Sequence, residues 1–203
     1  MLNVFARASV SRVVDPVGAW LVRRGLTPNA ITVVGTVGTV AAALWFFPRD
    51  ELFLGALVVT AFVVFDLLDG AMARAGGGST PFGAVLDASC DRIADGALFG
   101  ALTWWAFTVG GSRLLVAVAL VCLVTAQVIS YIKARAEASG LAADGGLVER
   151  AERFIIALLG AGLQGLGVPH ALEVALGVLA VLSVVTVGQR LVAVYRSAKG
   201  QDR

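Results

Sequence analysis

Six apolar stretches alternate with short polar breaks along the chain. Residues 30–47, 114–132 and 154–172 carry no charged side chain, and shorter uncharged runs cover 52–65, 96–112 and 174–189. Crossing the hydrocarbon of a bilayer takes about 20 apolar residues at roughly 1.5 Å each, so neighbouring residues complete the three shorter runs. The breaks carry helix punctuation. Thr27-Pro28 and Thr80-Pro81 each offer a capping hydroxyl followed by a proline suited to the first helical turn, while Pro48 and Gly76-Gly77-Gly78 stop the helices before them. The pattern predicts spans over 28–47, 51–75, 81–108, 113–138, 150–167 and 171–196, with one longer polar, glycine-rich connection at 139–149.

The first 25 residues differ from these runs. Leu2, Val4, Phe5, Val10, Val13, Val14, Trp20 and Leu21 are mixed with Arg7, Arg12, Arg23 and Arg24. Arginines would interrupt the apolar core of a cleavable leader, so none is expected. The mixture predicts an amphipathic segment lying in the membrane interface, with a short helix near 16–24 between Asp15-Pro16 and Gly25. A buried helix of the soluble type is the alternative. The expected fold is therefore an all-α integral membrane protein: an N-terminal interfacial amphipathic helix (1–25), then six transmembrane helices (28–196), in a single domain over 1–203.

Composition agrees. The 203 residues are 58% hydrophobic and 15% charged, where a soluble domain is nearer 45–50% and about 25%. The net charge of +2 hides an asymmetry. With the N-terminus cytoplasmic, six spans place 14 of the 16 Lys and Arg residues on the cytoplasmic side and leave Arg49 and Arg113 on the far side. That is the positive-inside pattern. It predicts anionic headgroups and substrates as partners, and no nucleic acid. Cys90 and Cys122 fall inside spans with no His or Cys neighbour at metal-ligand spacing and read as small apolar fillers.

The chemistry sits where spans two and three meet the cytoplasmic surface. Asp66 and Asp69 end one span, and Asp87 and Asp91 lie near the start of the next. Spacings of three and four place each pair on one helical face, and a short loop makes the helices antiparallel, so four carboxylates can converge. Like charges in a low dielectric oppose one another's ionisation, and a charge within the bilayer is expensive. A divalent cation removes the conflict, and hard oxygen ligands suit Mg²⁺ or Mn²⁺. Polar contacts between helices or a proton path are the bland alternatives. Gly70 and Gly83 permit close approach of a backbone or a ligand. The amides of Asn29, Ala30 and Ile31, with the Asn29 and Thr32 side chains, form a helix start on the same surface. Such a start attracts phosphate, although a plain helix start would look the same.

The run Asp66-x-x-Asp69-Gly70-x-x-Ala73-Arg74, then eight residues, then Gly83-x-x-x-Asp87-x-x-x-Asp91 closely resembles the signature of the CDP-alcohol phosphotransferases at every fixed position. The resemblance implies that Asp66, Asp69, Asp87 and Asp91 hold Mg²⁺ or Mn²⁺. It makes Asp91 the general base as well. Asn29, Ala30, Ile31, Thr32, Gly70, Arg74 and Thr80 would hold CDP-diacylglycerol, and the family suggests a homodimer.

Lys133, Arg135, Arg153 and Arg190 come from three spans and are predicted to finish on the aspartates' surface. Ordinary flanking charge would explain them, and so would a phosphate on the acceptor. The stretches Ser130–Glu137 and Glu149–Arg153 are similar to bacterial phosphatidylinositol-phosphate synthases, which implies inositol phosphate as acceptor and these four cations as its phosphate site. Glycerol 3-phosphate is the rival acceptor. A cation transporter is the rival of another class, and the internal symmetry common in transporters is not evident. His170 reads as a turn residue beside Pro169, and Asp95, one turn beyond Asp91, is left without a role.

Overall fold

The computed structural model of the chain describes residues 14–78 and 80–201. The described residues are helical, with no β-strand. Helix α1 covers residues 14–23, α2 Pro28–Phe46, α3 Leu52–Ala75, α4 Pro81–Thr108, α5 Arg113–Ala138, α6 Arg150–Gly165 and α7 Ala171–Gln201, with a 3-10 turn Phe47–Arg49 after α2. The start of the expected interfacial segment, with Arg7 and Arg12, lies outside the described residues, as does Arg203.

Local chemistry accounts for the boundaries. The Ala30 amide donates to the Thr27 hydroxyl at 3.3 Å, capping α2 at the predicted position. Proline cannot continue a helix from within, and around Pro48 the chain tightens into the 3-10 turn before Asp50 takes a left-handed conformation (φ 64°). Gly77 and Gly78, at φ 97° and 118°, make the turn after α3. Positive φ of this kind is ordinary only for glycine. The Gly83 amide donates to the Thr80 hydroxyl at 3.0 Å to open α4, and Ser112 caps α5. Glu149 and Glu152 form a reciprocal capping box at the start of α6.

Among the described residues, four helical segments are long and apolar enough to cross a membrane: Pro28–Arg49, Leu52–Ala75, Arg113–Ala138 and Ala171–Gly200. Their outward side chains are large and apolar, among them Val37, Leu57, Leu114 and Val181. Such surface is costly in water, and the chain is a multi-pass helical membrane protein. Helix α4 has the length but carries Asp87, Asp91, Arg92 and Asp95. Helix α6 has 16 residues.

The chain gathers into two compact units. One comprises the residues up to Ala42 with Val58–Ala94, and the other Ala43–Leu57 with Asp95–Arg203. The first holds all four signature aspartates. In the second, α7 packs on α5 and α6, around Ala119, Cys122, Ala126, Ala157, Leu172 and Leu176. The small residues among these, the three alanines and Cys122, let helices approach closely in lipid. The 139–149 connection is strapped to α7: the Leu147 and Val148 amides donate to the Thr186 hydroxyl at 3.1 and 3.2 Å. Arg190 donates to the Gly145 carbonyl at 3.1 Å and the Ile129 carbonyl at 2.8 Å.

Candidate metal and nucleotide site

Asp66 and Asp69 lie one turn apart on α3, and Asp87 stands near the start of α4. Each can offer one carboxylate oxygen to a set lying within 4.8 Å of one another. Asp66 and Asp69 are half-buried and Asp87 is exposed, so the trio opens toward solvent on one flank. Three carboxylates this close repel one another, and a shared divalent cation relieves the repulsion. Hard, anionic oxygen donors with one flank open fit Mg²⁺ or Mn²⁺, which retain waters and bind substrate phosphates alongside a few carboxylates. Asp91, one turn beyond Asp87, stands outside this trio. It is partly buried, 3.9 Å from the Arg92 guanidinium.

The predicted nucleotide residues lie in the same unit as the trio. A Cβ at Gly83 would come within 3.1 Å of both the Asn29 side-chain oxygen and the Thr80 hydroxyl. The signature glycine therefore keeps open a space bounded by two predicted contacts. A Cβ at Gly70 would meet Arg74 at an ordinary 3.5 Å, so packing by the described residues leaves room there for a ligand. Arg74 is exposed and donates to Asp15 of α1 at 2.7 Å. At the start of α2 the amides of Ala30 and Ile31 donate to the Thr27 carbonyl at 3.1 and 3.4 Å. The Thr32 hydroxyl, buried, approaches Asp69 Oδ2 at 2.5 Å.

The four predicted acceptor cations lie in the other unit and divide into two kinds. Lys133 and Arg135, on the last turns of α5, are exposed, with Lys133 4.0 Å from Glu137. Arg153 is 1% exposed and donates to Asp95 Oδ2 at 3.3 Å. Arg190 is 5% exposed and holds the backbone carbonyls described above. Asp95 is fully buried and also faces Arg150 at 3.6 Å. A buried carboxylate needs cationic or hydrogen-bonding partners, and α6 supplies two. The sequence left Asp95 without a role because these partners follow it by 55 and 58 residues. Helical spacing around the signature cannot reveal contacts at that range. His170, at positive φ, pairs with Glu173 at the turn before α7.

Comparison with known proteins bears on this geometry. A family model described as CDP-alcohol phosphatidyltransferase matches residues 25–193. A phosphatidylinositol phosphate synthase of Mycobacterium marinum is 58% identical over 200 residues, covering 97% of this chain and 86% of that protein. The Mycobacterium tuberculosis protein of the same name is 54% identical over 205 residues, covering 100% and 94%. Its crystal structure with CDP-DAG bound matches with a TM-score of 0.87 at 56% identity, over 92% of this chain and 95% of that one. A second, in complex with manganese and citrate, also gives 0.87 at 56% identity, over 91% and 90%.

Proposed function

The chain belongs to the CDP-alcohol phosphatidyltransferase family, and from that premise we propose that it transfers the phosphatidyl group of CDP-diacylglycerol to inositol phosphate, giving phosphatidylinositol phosphate and CMP. The observation that carries the reaction class is the convergence of Asp66, Asp69 and Asp87 within 4.8 Å, set inside a complete signature. The acceptor rests on the relatives, which at 54–58% identity are phosphatidylinositol phosphate synthases.

Each group in the first unit has a task. Asn29, Ala30, Ile31, Thr32, Gly70, Arg74 and Thr80 hold the cytidine diphosphate, with Gly70 and Gly83 leaving it space. Asp66, Asp69 and Asp87 would hold Mg²⁺ or Mn²⁺, with Asp91 as a further ligand, and the metal would neutralise diphosphate charge. Asp91 takes the proton of the acceptor hydroxyl. That oxygen bonds to the phosphorus bearing diacylglycerol as the bond from the same phosphorus to the CMP oxygen breaks. The acyl chains stay in lipid.

In the second unit, Lys133, Arg135, Arg153 and Arg190 bind the acceptor's own phosphate. Guanidinium groups suit it because their forked donors match phosphate oxygens. Helices α4 and α6 complete six spans: 28 residues of α4 reach about 42 Å, and 16 of α6 about 24 Å, the latter serving where neighbours and the interface cover its ends. Helix α1 lies in the interface as an amphipathic helix, and the two units belong to a single functional domain. The excess of cations on one side, 14 of 16, supports both termini and the active site on the cytoplasmic face of the cell membrane. The family resemblance supports a homodimer.

The test is CMP release by purified protein given CDP-diacylglycerol, divalent metal and one acceptor at a time. Inositol phosphate should support turnover and free inositol should not. Release with glycerol 3-phosphate alone would keep the reaction class and replace the acceptor.

A further inference from the structure

Helices α2 and α3 meet in a regular antiparallel register within the first unit. Thr32 Oγ1 lies 2.5 Å from Asp69 Oδ2. One turn along, a Cβ at Gly35 would sit 3.1 Å from Asp66 Oδ1 and 3.4 Å from its Cβ. Another turn along, a Cβ at Gly38 would fall 2.2 Å from the Phe62 ring. As the α2 numbers rise through 32, 35 and 38, their α3 partners fall through 69, 66 and 62. The glycine at 38 sets the close approach, and the two α3 carboxylates of the trio then each stand against a particular α2 residue.

We propose that Thr32 and Gly35 are positioning residues for the divalent metal, so that α2, which contributes none of the trio, fixes where the two α3 carboxylates stand. The Thr32 hydroxyl has one proton and two acceptors in reach, the Pro28 carbonyl at 3.2 Å and Asp69 Oδ2 at 2.5 Å. The shorter, charge-assisted bond takes it. That bond fixes the rotation of the Asp69 carboxylate within the trio. Gly35 acts by what it lacks. A methyl group there would force the Asp66 carboxylate to give by a few tenths of an ångström, whereas metal–ligand distances tolerate only about 0.2 Å. The inference rests on reading the aspartate trio as the metal site. It gives Thr32 a task separate from any contact with nucleotide.

The experiment titrates Mn²⁺ onto the full purified chain in detergent, without substrate or nucleotide, and reads free Mn²⁺ by electron paramagnetic resonance. Partners that orient metal ligands are worth about 10–100-fold in affinity. Thr32→Val should weaken binding within that range, Thr32→Ser should restore most of it, and Gly35→Ala should weaken it while Thr32 is intact. Melting without metal identifies any variant that fails to fold. Should Thr32→Val fail, the Thr32→Ser and Gly35→Ala titrations decide. Unchanged Mn²⁺ affinity in folded Thr32→Val and Gly35→Ala, beside loss in Asp69→Asn, would overturn the proposal and leave the metal site standing. No Mn²⁺ uptake by the unmodified chain, or full uptake by Asp69→Asn, would count against the metal site itself.

Discussion

Replacing Asp95 by asparagine removes a carboxylate that faces two guanidinium groups from a position with no solvent exposure. Arg153 Nη2 lies 3.3 Å from one Asp95 oxygen and Arg150 Nε 3.6 Å from the other, with side-chain exposures of 2% and 28%. Arg150 can turn toward water, but Arg153 cannot without repacking α6. Breaking a buried ion pair from one side costs about 3–5 kcal/mol because an uncompensated charge remains. At about 2–4 °C per kcal/mol for a chain of this size, the melting temperature should fall by roughly 6–20 °C. A thermal melt in detergent, followed by tryptophan fluorescence, measures this. The double variant Asp95→Leu/Arg153→Met removes both charges together and should recover most of the loss, since apolar replacement of a buried pair is often neutral. Asp95→Asn melting with the unmodified protein, or a double variant as damaged as the sum of its singles, would show that the Asp95–Arg153 pair does not hold α4 and α6 together.

Three other expectations concern catalysis, acceptor and orientation. Asp91→Asn should abolish CMP release yet retain CDP-diacylglycerol binding better than Asp66→Asn, measured by calorimetry, and chelation should silence the unmodified enzyme reversibly. Lys133→Gln disturbs little of the fold, since its side chain is 46% exposed and stands 4.0 Å from an exposed Glu137. Losing one charge-assisted contact of about 1.5–3 kcal/mol should therefore raise the KM for inositol phosphate roughly tenfold or more and leave that for CDP-diacylglycerol unchanged. In a background lacking Cys90 and Cys122, cysteine at the exposed Ser139 should react with impermeant thiol reagents from the cytoplasmic side, and cysteine at the exposed Glu51 from the far side. The reverse would invert the topology.

The helix boundaries were largely legible because they are local. Thr27-Pro28, the glycines at 76–78 and Thr80-Pro81 act within one turn of themselves, and the helices start and stop at them. Helix α7 runs on to Gln201 rather than 196, since Arg196 and Lys199 are good helix formers and halt nothing. The convergence of Asp66, Asp69 and Asp87 was legible for the same reason: i, i+3 spacing on α3 and an antiparallel turn into α4 suffice to gather them. Asp91 shares that periodicity but not the cluster, because spacing gives the face of a helix and not the distance from α3. Contacts at long range were not legible. The Thr32 hydroxyl finds Asp69 across 37 residues, and the sequence alone offered only a helix start. Counting cations by side likewise could not separate exposed Lys133 and Arg135 from Arg153 and Arg190. What distinguishes them is packing against α4 and the 139–149 connection.

The measurement that bears most directly on the account follows phosphorus from labelled inositol phosphate into lipid. Purified chain, CDP-diacylglycerol and Mg²⁺ or Mn²⁺ should move the label into the organic phase with one CMP released per label transferred. Chelation or Asp66→Asn should stop both together. CMP released without label entering lipid, or label entering lipid equally with Asp66→Asn, would contradict the assignment of the aspartate trio to phosphatidyl transfer onto inositol phosphate.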